Sequence, residues 1–347
     1  MIEEREDCWL RGRVALITGV TGGIGSVLAT RLLGVGAQVR GLTRTPAQAK
    51  SLFGNLAIDL CYGDLLKPDT LTSALDGVAA VFHLASYVPP LSCVDRYNAP
   101  GHWAVTATGT QALINAMASA TTERLVYLSS VKAMGDTSGA AAPADEAERC
   151  EPQTLYGRAK LEAERIVLAA GEAQGRQTTV LRIPMVYGID DTGNIPRMVR
   201  AIARRRFPPW PNRPNRRSAI HVNDVVSALL LCLSSTQANG KTYLATDGNS
   251  YSTRWIYEEA TRACGRQPPP WGVPVWLLGA AAVLGTGIEK LTRRGIGLNL
   301  ETLEKLRSDA WYDAKRISTD LGFAASHDLA AEISRLVARL EDREALD

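Results

Sequence analysis

A short apolar run, Val14-Ala15-Leu16-Ile17-Thr18, passes directly into Gly19-Val20-Thr21-Gly22-Gly23-Ile24-Gly25, and apolar residues then recur at helical spacing from Ile24 to Leu33. A buried strand that turns through clustered glycines into a helix leaves a chain few architectures, because the glycines serve a tight turn that side chains would block. The same turn exposes the unpaired N–H groups of a helix start, which attract negative charge. Gly19, Gly22, Gly23, Ile24 and Gly25 are therefore candidates for cradling the pyrophosphate of a dinucleotide.

The next stretch repeats the alternation of strand and helix. Gln38–Leu42, Ala79–Leu84, Leu125–Leu128 and Thr179–Ile183 read as buried parallel strands, and Ala107–Ala118 and Leu155–Ala170 as helices. The expected fold class is α/β, a doubly wound parallel sheet with a smaller C-terminal substrate lobe. At 347 residues the chain has room for about two lobes. We divide it into a dinucleotide-binding domain, 1–182, and a substrate-binding lobe, 183–347, parts of which return to the first domain. The second part opens with Pro- and Arg-rich loops, including Phe207–Arg217, and carries one compact helical pattern, Val225–Leu233.

Composition excludes several classes. With 46% hydrophobic and 22% charged residues the chain is an ordinary globular protein. Its 39 Lys and Arg against 36 Asp and Glu leave +3, so no global field calls for a nucleic acid partner. Six scattered cysteines form no CxxC pair and have no His at ligand spacing, so we expect reduced thiols and no metal. The acidic N-terminus lacks the apolar stretch of a signal peptide, and a cytoplasmic location is expected. Gln267–Ile288 carries no charge, but Pro268, Pro269, Pro270 and Pro274 leave only Val275–Ile288 as a continuous helix. That is too short to span a bilayer, and we expect a buried helix, with peripheral membrane contact as the alternative.

Two further positions bear on the dinucleotide. The second strand ends in Leu42-Thr43-Arg44, with no carboxylate for an adenosine ribose and with an Arg able to pair a 2′-phosphate, which favours NADP over NAD. Asp64, with Leu65 in Tyr62-Gly63-Asp64-Leu65, is placed either to accept from the adenine amine or to cap a turn.

The chemistry is carried by Tyr156-Gly157-Arg158-Ala159-Lys160, since residues four apart share a helix face. A phenol is a poor base at neutral pH unless a cation lowers its pKa, and Lys160 supplies one. Upstream, Leu125-Val126-Tyr127-Leu128 ends in Ser129-Ser130, hydroxyls at the sheet edge where ligands of such folds bind. One hydroxyl can polarise a carbonyl while the phenol exchanges its proton.

Together these motifs resemble the extended short-chain dehydrogenases/reductases of the NAD-dependent epimerase/dehydratase kind, a Rossmann-type family. Val81-Phe82-His83-Leu84-Ala85-Ser86, Leu181-Arg182-Ile183-Pro184-Met185-Val186-Tyr187-Gly188 and Ile220-His221-Val222-Asn223-Asp224-Val225 extend the resemblance over nearly the whole chain. It implies Ser130, Tyr156 and Lys160 as catalytic residues, Lys160 also contacting the ribose, with Leu84 and Ala85 beside the cofactor. It implies Asn194, Arg217 and Ser130 as substrate contacts, Arg217 matching the diphosphate contact of sugar-nucleotide enzymes. His83 and His221 are expected to be structural. Thr106 departs from the Asn that relatives commonly place there, and Val131-Lys132 stands where a dehydratase has its acid/base pair. The expected activity is hydride movement at a ring carbon, C4, of a UDP- or dTDP-linked sugar, as ketoreductase or epimerase, in a homodimer. The alternatives are a dehydrogenase of hydroxysteroids or other hydrophobic alcohols, suggested by Val275–Ile288, and a non-catalytic NADP-binding regulator.

Overall fold

A computed structural model describes residues 9–90, 93, 95–137, 140–189, 193–292 and 299–344. Its centre is a seven-stranded, wholly parallel sheet in the order β3-β2-β1-β4-β5-β6-β9. The strands are β1 (Val14–Thr18), β2 (Gln38–Thr43), β3 (Ile58–Tyr62), β4 (Val78–His83), β5 (Arg124–Ser130), β6 (Gln177–Ile183) and β9 (Lys241–Leu244). Winding outward from β1 in both directions places the strand-order reversal between β1 and β4, where the C-terminal strand ends leave a crevice.

Helices cover both faces. The alternation of side chains along β1 sends Ala15 and Ile17 to a layer with Leu28 and Leu32 of α1 (Gly23–Gly34), and Leu16 to the opposite one. The first layer is completed by Val225, Leu229 and Leu233 of α6 (Val222–Ser234), and β9 adds the outermost strand beside β6. The second layer holds Leu113 and Met117 of α3 (Gly109–Met117) and Ala163 and Val167 of α4 (Leu155–Gln174). A short helix α2 (Pro46–Phe53) follows β2. Ahead of α3 the backbone runs as a π-helix, Trp103–Thr108, an irregularity that recurs at functional sites.

The second lobe has its own core. Two parallel strands, β7 (Met185–Tyr187) and β8 (Ala219–His221), pair beside α5 (Asn194–Ala203), α7 (Thr253–Ala263), α8 (Val275–Thr292), α9 (Leu300–Arg307) and α11 (Leu329–Glu344). Ile195, Val199, Trp210, Tyr257, Leu303 and Ile333 interlock there. A last small helix, α10 (Lys315–Leu321), packs against the first lobe through the buried Ile317.

The expectation that Val275–Ile288 is a buried helix is corrected. Leu278 and Ala282 are buried, but Trp276, Leu277, Val283, Leu284 and Ile288 are exposed. The helix rests on the lobe by one side only, because the neighbouring α9 and Trp210 cover no more than that side. Among the described residues, no helix is long and apolar enough to cross a membrane.

Candidate active site

The glycine turn lies at the C-terminal end of β1. Gly19 has φ +76, and a Cβ there would stand 2.9 Å from the backbone nitrogen of Ala85, so β1 and the end of β4 meet at a distance only glycine allows. A Cβ at Gly25 would collide with the Gly19 carbonyl. Gly22 caps α1 without any side-chain bond, and the first turn carries no acid, so its N–H groups are offered to an incoming anion. The Thr18 hydroxyl accepts from Ala85 N at 3.1 Å, and the Thr18 carbonyl from Leu84 N at 3.2 Å, which brings the Leu84–Ala85 segment against the turn.

His83 holds this junction from beneath. Its Nδ1 pairs with Thr18 Oγ1 at 2.7 Å and its Nε2 with Thr110 Oγ1 at 2.9 Å, and burial followed by the nearby Lys160 charge pushes its pKa down to about 3. The imidazole is neutral and fully used as a strut. The His221 Nδ1 accepts from Asn223 N at 3.2 Å at the start of α6, its ring stacks on His327, and with Asp224 the two imidazoles bring their ligand atoms within 4.8 Å of one another.

At the outer strands Arg44 is exposed just past β2, with no partner among the described residues. Asp64 uses Oδ1 to accept from Leu66 N at 3.0 Å, the turn-capping alternative, while its Oδ2 accepts from no described group. Leu65 is buried beneath it. These residues lie across β2 and β3, on the far side of the glycine turn from β5, so an extended molecule laid over the strand ends would touch both groups.

On the β5 side three predicted residues converge. Ser130 ends the strand, and its oxygen accepts from Lys132 N at 3.3 Å as the cap of a 3₁₀ turn. Its hydroxyl lies on the Tyr156 side, where it favours the ionised phenol. Tyr156 begins α4, whose first turn is capped by Thr154 accepting from Gly157 N at 3.1 Å. Gly157 is required by packing, since a Cβ would clash with the Lys132 carbonyl and push α4 off the serine turn. One helical turn on, Lys160 is buried, and its Nζ donates to the Leu128 carbonyl at 2.8 Å. Burial raises the Tyr156 pKa to about 12, against the Ser130 hydroxyl that lowers it, and burial lowers that of Lys160 to about 8, against the pull of Glu164.

Ser129 is engaged elsewhere. Its hydroxyl meets Glu164 Oε1 at 2.5 Å, and Glu164 also accepts three bonds from Arg182, the shortest 2.7 Å, in a wholly buried cluster.

Sequence reading missed the aromatic surround. Tyr97 and His102 flank Tyr156 with ring centroids at 5.8 and 5.0 Å, and Tyr87 stands edge-on to His102. The loop carrying Tyr97 is docked on α4 by Tyr156 N donating to the Tyr97 carbonyl and Leu155 N to Asn98 Oδ1, both at 2.9 Å. No periodicity marks that loop, and its only signal is the density of Tyr and His in residues 87–102. Thr106, inside the π-helix, pairs with Ser86 Oγ at 3.1 Å.

Of the predicted substrate contacts, Arg217 ends the Pro- and Arg-rich loop that leads into β8. Its backbone pairs with Tyr251, its Nη1 donates to the Ser308 carbonyl at 3.2 Å, and burial lowers its pKa against the influence of Tyr312, Tyr97 and Asp309. Asn194 opens α5, but its side chain lies outside the described residues.

The model of the NAD dependent epimerase/dehydratase family matches residues 15–245. Sterol demethylase protein B of Methylococcus capsulatus is 27% identical over 321 residues, covering 91% of this chain and 95% of that protein. The 3 beta-hydroxysteroid dehydrogenase/Delta 5-->4-isomerase of Mycobacterium tuberculosis is 26% identical over 330 residues, covering 90% and 86%. Among solved structures, MoeE5 in complex with UDP-glucuronic acid and NAD superposes with a TM-score of 0.72 at 25% identity, covering 96% of this chain and all of that one.

Proposed function

The chain belongs to the NAD-dependent epimerase/dehydratase family, and from that premise we propose that it interconverts a secondary alcohol and its ketone, with Ser130, Tyr156 and Lys160 as the reacting group. The observation that carries this reading is the convergence of Ser130, at the end of β5, with Tyr156 near the start of α4 and with Lys160, buried one helical turn on.

The glycine turn and the N–H groups at the α1 N-terminus would hold a nicotinamide cofactor, which would supply or accept the hydride. Ser130 donates a hydrogen bond to the substrate oxygen and keeps its proton, its own oxygen accepting from Lys132 N. Tyr156 exchanges a proton with the same oxygen. Free of ligand its phenol is too weak an acid to ionise near neutrality, so Lys160 must stabilise the phenolate as charge develops. Arg44 favours the 2′-phosphorylated cofactor, and Asp64 Oδ2 is placed to accept from the adenine amine.

The substrate we propose is an apolar ring alcohol of the hydroxysteroid type. Tyr97, His102 and Tyr87 build an aromatic wall beside the reacting phenol, and sequence relatives that align over most of their length bear sterol and steroid names. A second reading, a UDP- or dTDP-linked sugar altered at C4, is favoured by the buried cation of Arg217, whose pKa Tyr97 of the aromatic surround helps hold up, and by the full-length likeness to MoeE5. Incubating the protein with NAD or NADP and, in turn, a 3β-hydroxysteroid and UDP-glucose, while following the near-ultraviolet absorbance of reduced nicotinamide, separates the two. Reduction with the steroid alone supports the first reading. Binding of UDP-glucose with no response to the steroid replaces it by the second.

A further inference from the structure

Seven of the thirteen exposed large apolar side chains of the described residues fall between positions 271 and 300. Trp271, Trp276, Leu277, Val283, Leu284 and Ile288 line the outer side of α8 and the segment leading into it, exposed by 45 to 73%. At 100° per residue, Trp276, Leu277, Ala280, Val283, Leu284, Gly287 and Ile288 form one continuous half of the helix surface, and no residue from Val275 to Ile288 is charged. Leu278 and Ala282, on the opposite half, anchor the helix to the second lobe. A face this apolar on a monomer marks an interaction site.

We propose that this face is an interfacial docking surface for an anionic phospholipid bilayer. Three observations single out that occupant. First, the helix is about 21 Å long over its uncharged part, too short to span a hydrocarbon core of about 30 Å and suited to lying in the headgroup layer. Second, two exposed indoles stand at its N-terminal end, the side chain that prefers the boundary between apolar and wet surroundings. Third, the flanking surface has complementary charge. The α8 lead-in is pinned to the 204–213 loop by Val273 N donating to the Pro209 carbonyl at 2.9 Å and by Gly272 lying against Pro211. That loop exposes Arg204, Arg205, Arg206 and Arg213, and the sequence contains no Asp or Glu from Gly193 to Asn223. Basic side chains around an apolar helix are what an anionic membrane surface selects. This surface stands whether or not the proposed substrate class does.

The test is flotation of the full chain with vesicles of phosphatidylcholine alone and of an equal mixture with phosphatidylglycerol. The protein should float with the mixed vesicles, less so at high salt. Combining Trp276→Ser with Leu284→Glu, both on exposed side chains, should weaken partitioning by about tenfold or more. Leu52→Glu, an exposed leucine on another face, should leave it unchanged. Reversing Arg205 and Arg206 to Glu should remove the preference for the mixed vesicles. The proposal is overturned if the protein stays in solution with both vesicle types or if the Trp276/Leu284 variant floats equally well. It is also overturned if the wild type is a dimer that this variant splits, which would place a second copy on the face.

Discussion

Ser129 and Ser130 are chain neighbours with opposite commitments: the hydroxyl of Ser129 is closed onto the buried Glu164 at 2.5 Å, while the oxygen of Ser130 accepts from Lys132 N at 3.3 Å, in the turn that faces Tyr156. Strand alternation causes the split, since successive residues of β5 face opposite sides of the sheet. Ser129 is thus part of the scaffold under α4, and Ser130 part of the site above it.

The scaffold role has a measurable consequence. Glu164 and Arg182 are both buried and bound to each other at 2.7 Å, so Glu164→Ala leaves an unpaired guanidinium in the core. We expect a loss of about 3–5 kcal/mol in chemical denaturation, and recovery of much of it when Arg182→Met is added. A loss below about 1 kcal/mol would show that water reaches the pair.

The strut beneath the glycine turn predicts a pH dependence. His83 titrates near 3 in the folded chain and near 6.5 unfolded, so the unfolded state binds more protons between those values and stability falls as pH drops through that window. One such group contributes up to about 1.4 kcal/mol per pH unit. Between pH 6.5 and 5, above most carboxylate titrations, His83→Gln should show a flatter stability profile than the wild type in denaturant titrations at each pH.

Lys160 predicts a pH dependence of a different kind. Its pKa is lowered to about 8, while Tyr156 keeps its proton to about 12. Ketone reduction needs the protonated phenol and the ammonium, so its kcat should be level below pH 8 and fall as pH rises through it. In Lys160→Arg, whose cation does not titrate there, any remaining activity should lack that fall.

For the cofactor, Arg44→Ala should weaken NADP binding by roughly tenfold, the worth of one lost charge-assisted pair, and leave NAD binding unchanged. Calorimetric titration with each dinucleotide measures this directly. Equal losses for both would place Arg44 outside the 2′-phosphate contact.

How far the sequence disclosed this molecule follows from the range of the interactions involved. The glycine turn, the parallel strands and the Tyr156–Lys160 face are local patterns, set by φ/ψ limits and periodicity within a few residues, and they stand where periodicity placed them. The second-lobe core joins residues as distant as Ile195 and Ile333, which no local window contains. Tyr97 and His102 reach Tyr156 through a loop without periodicity. The helix Val275–Ile288 shows the opposite failure: its apolar composition argued for burial, but composition records what a side chain tolerates, and the packing partners needed to cover the outer half are missing from the described residues.

The central claim is that Tyr156 exchanges the proton of the reaction, and replacing it by Phe tests this most directly. Substrate turnover by Tyr156→Phe, measured beside dinucleotide binding followed by thermal shift, should fall by about 10²–10⁴-fold while the melting-temperature rise on adding the cofactor stays that of the wild type. Turnover within about twofold of the wild type, with cofactor binding intact, would contradict the assignment.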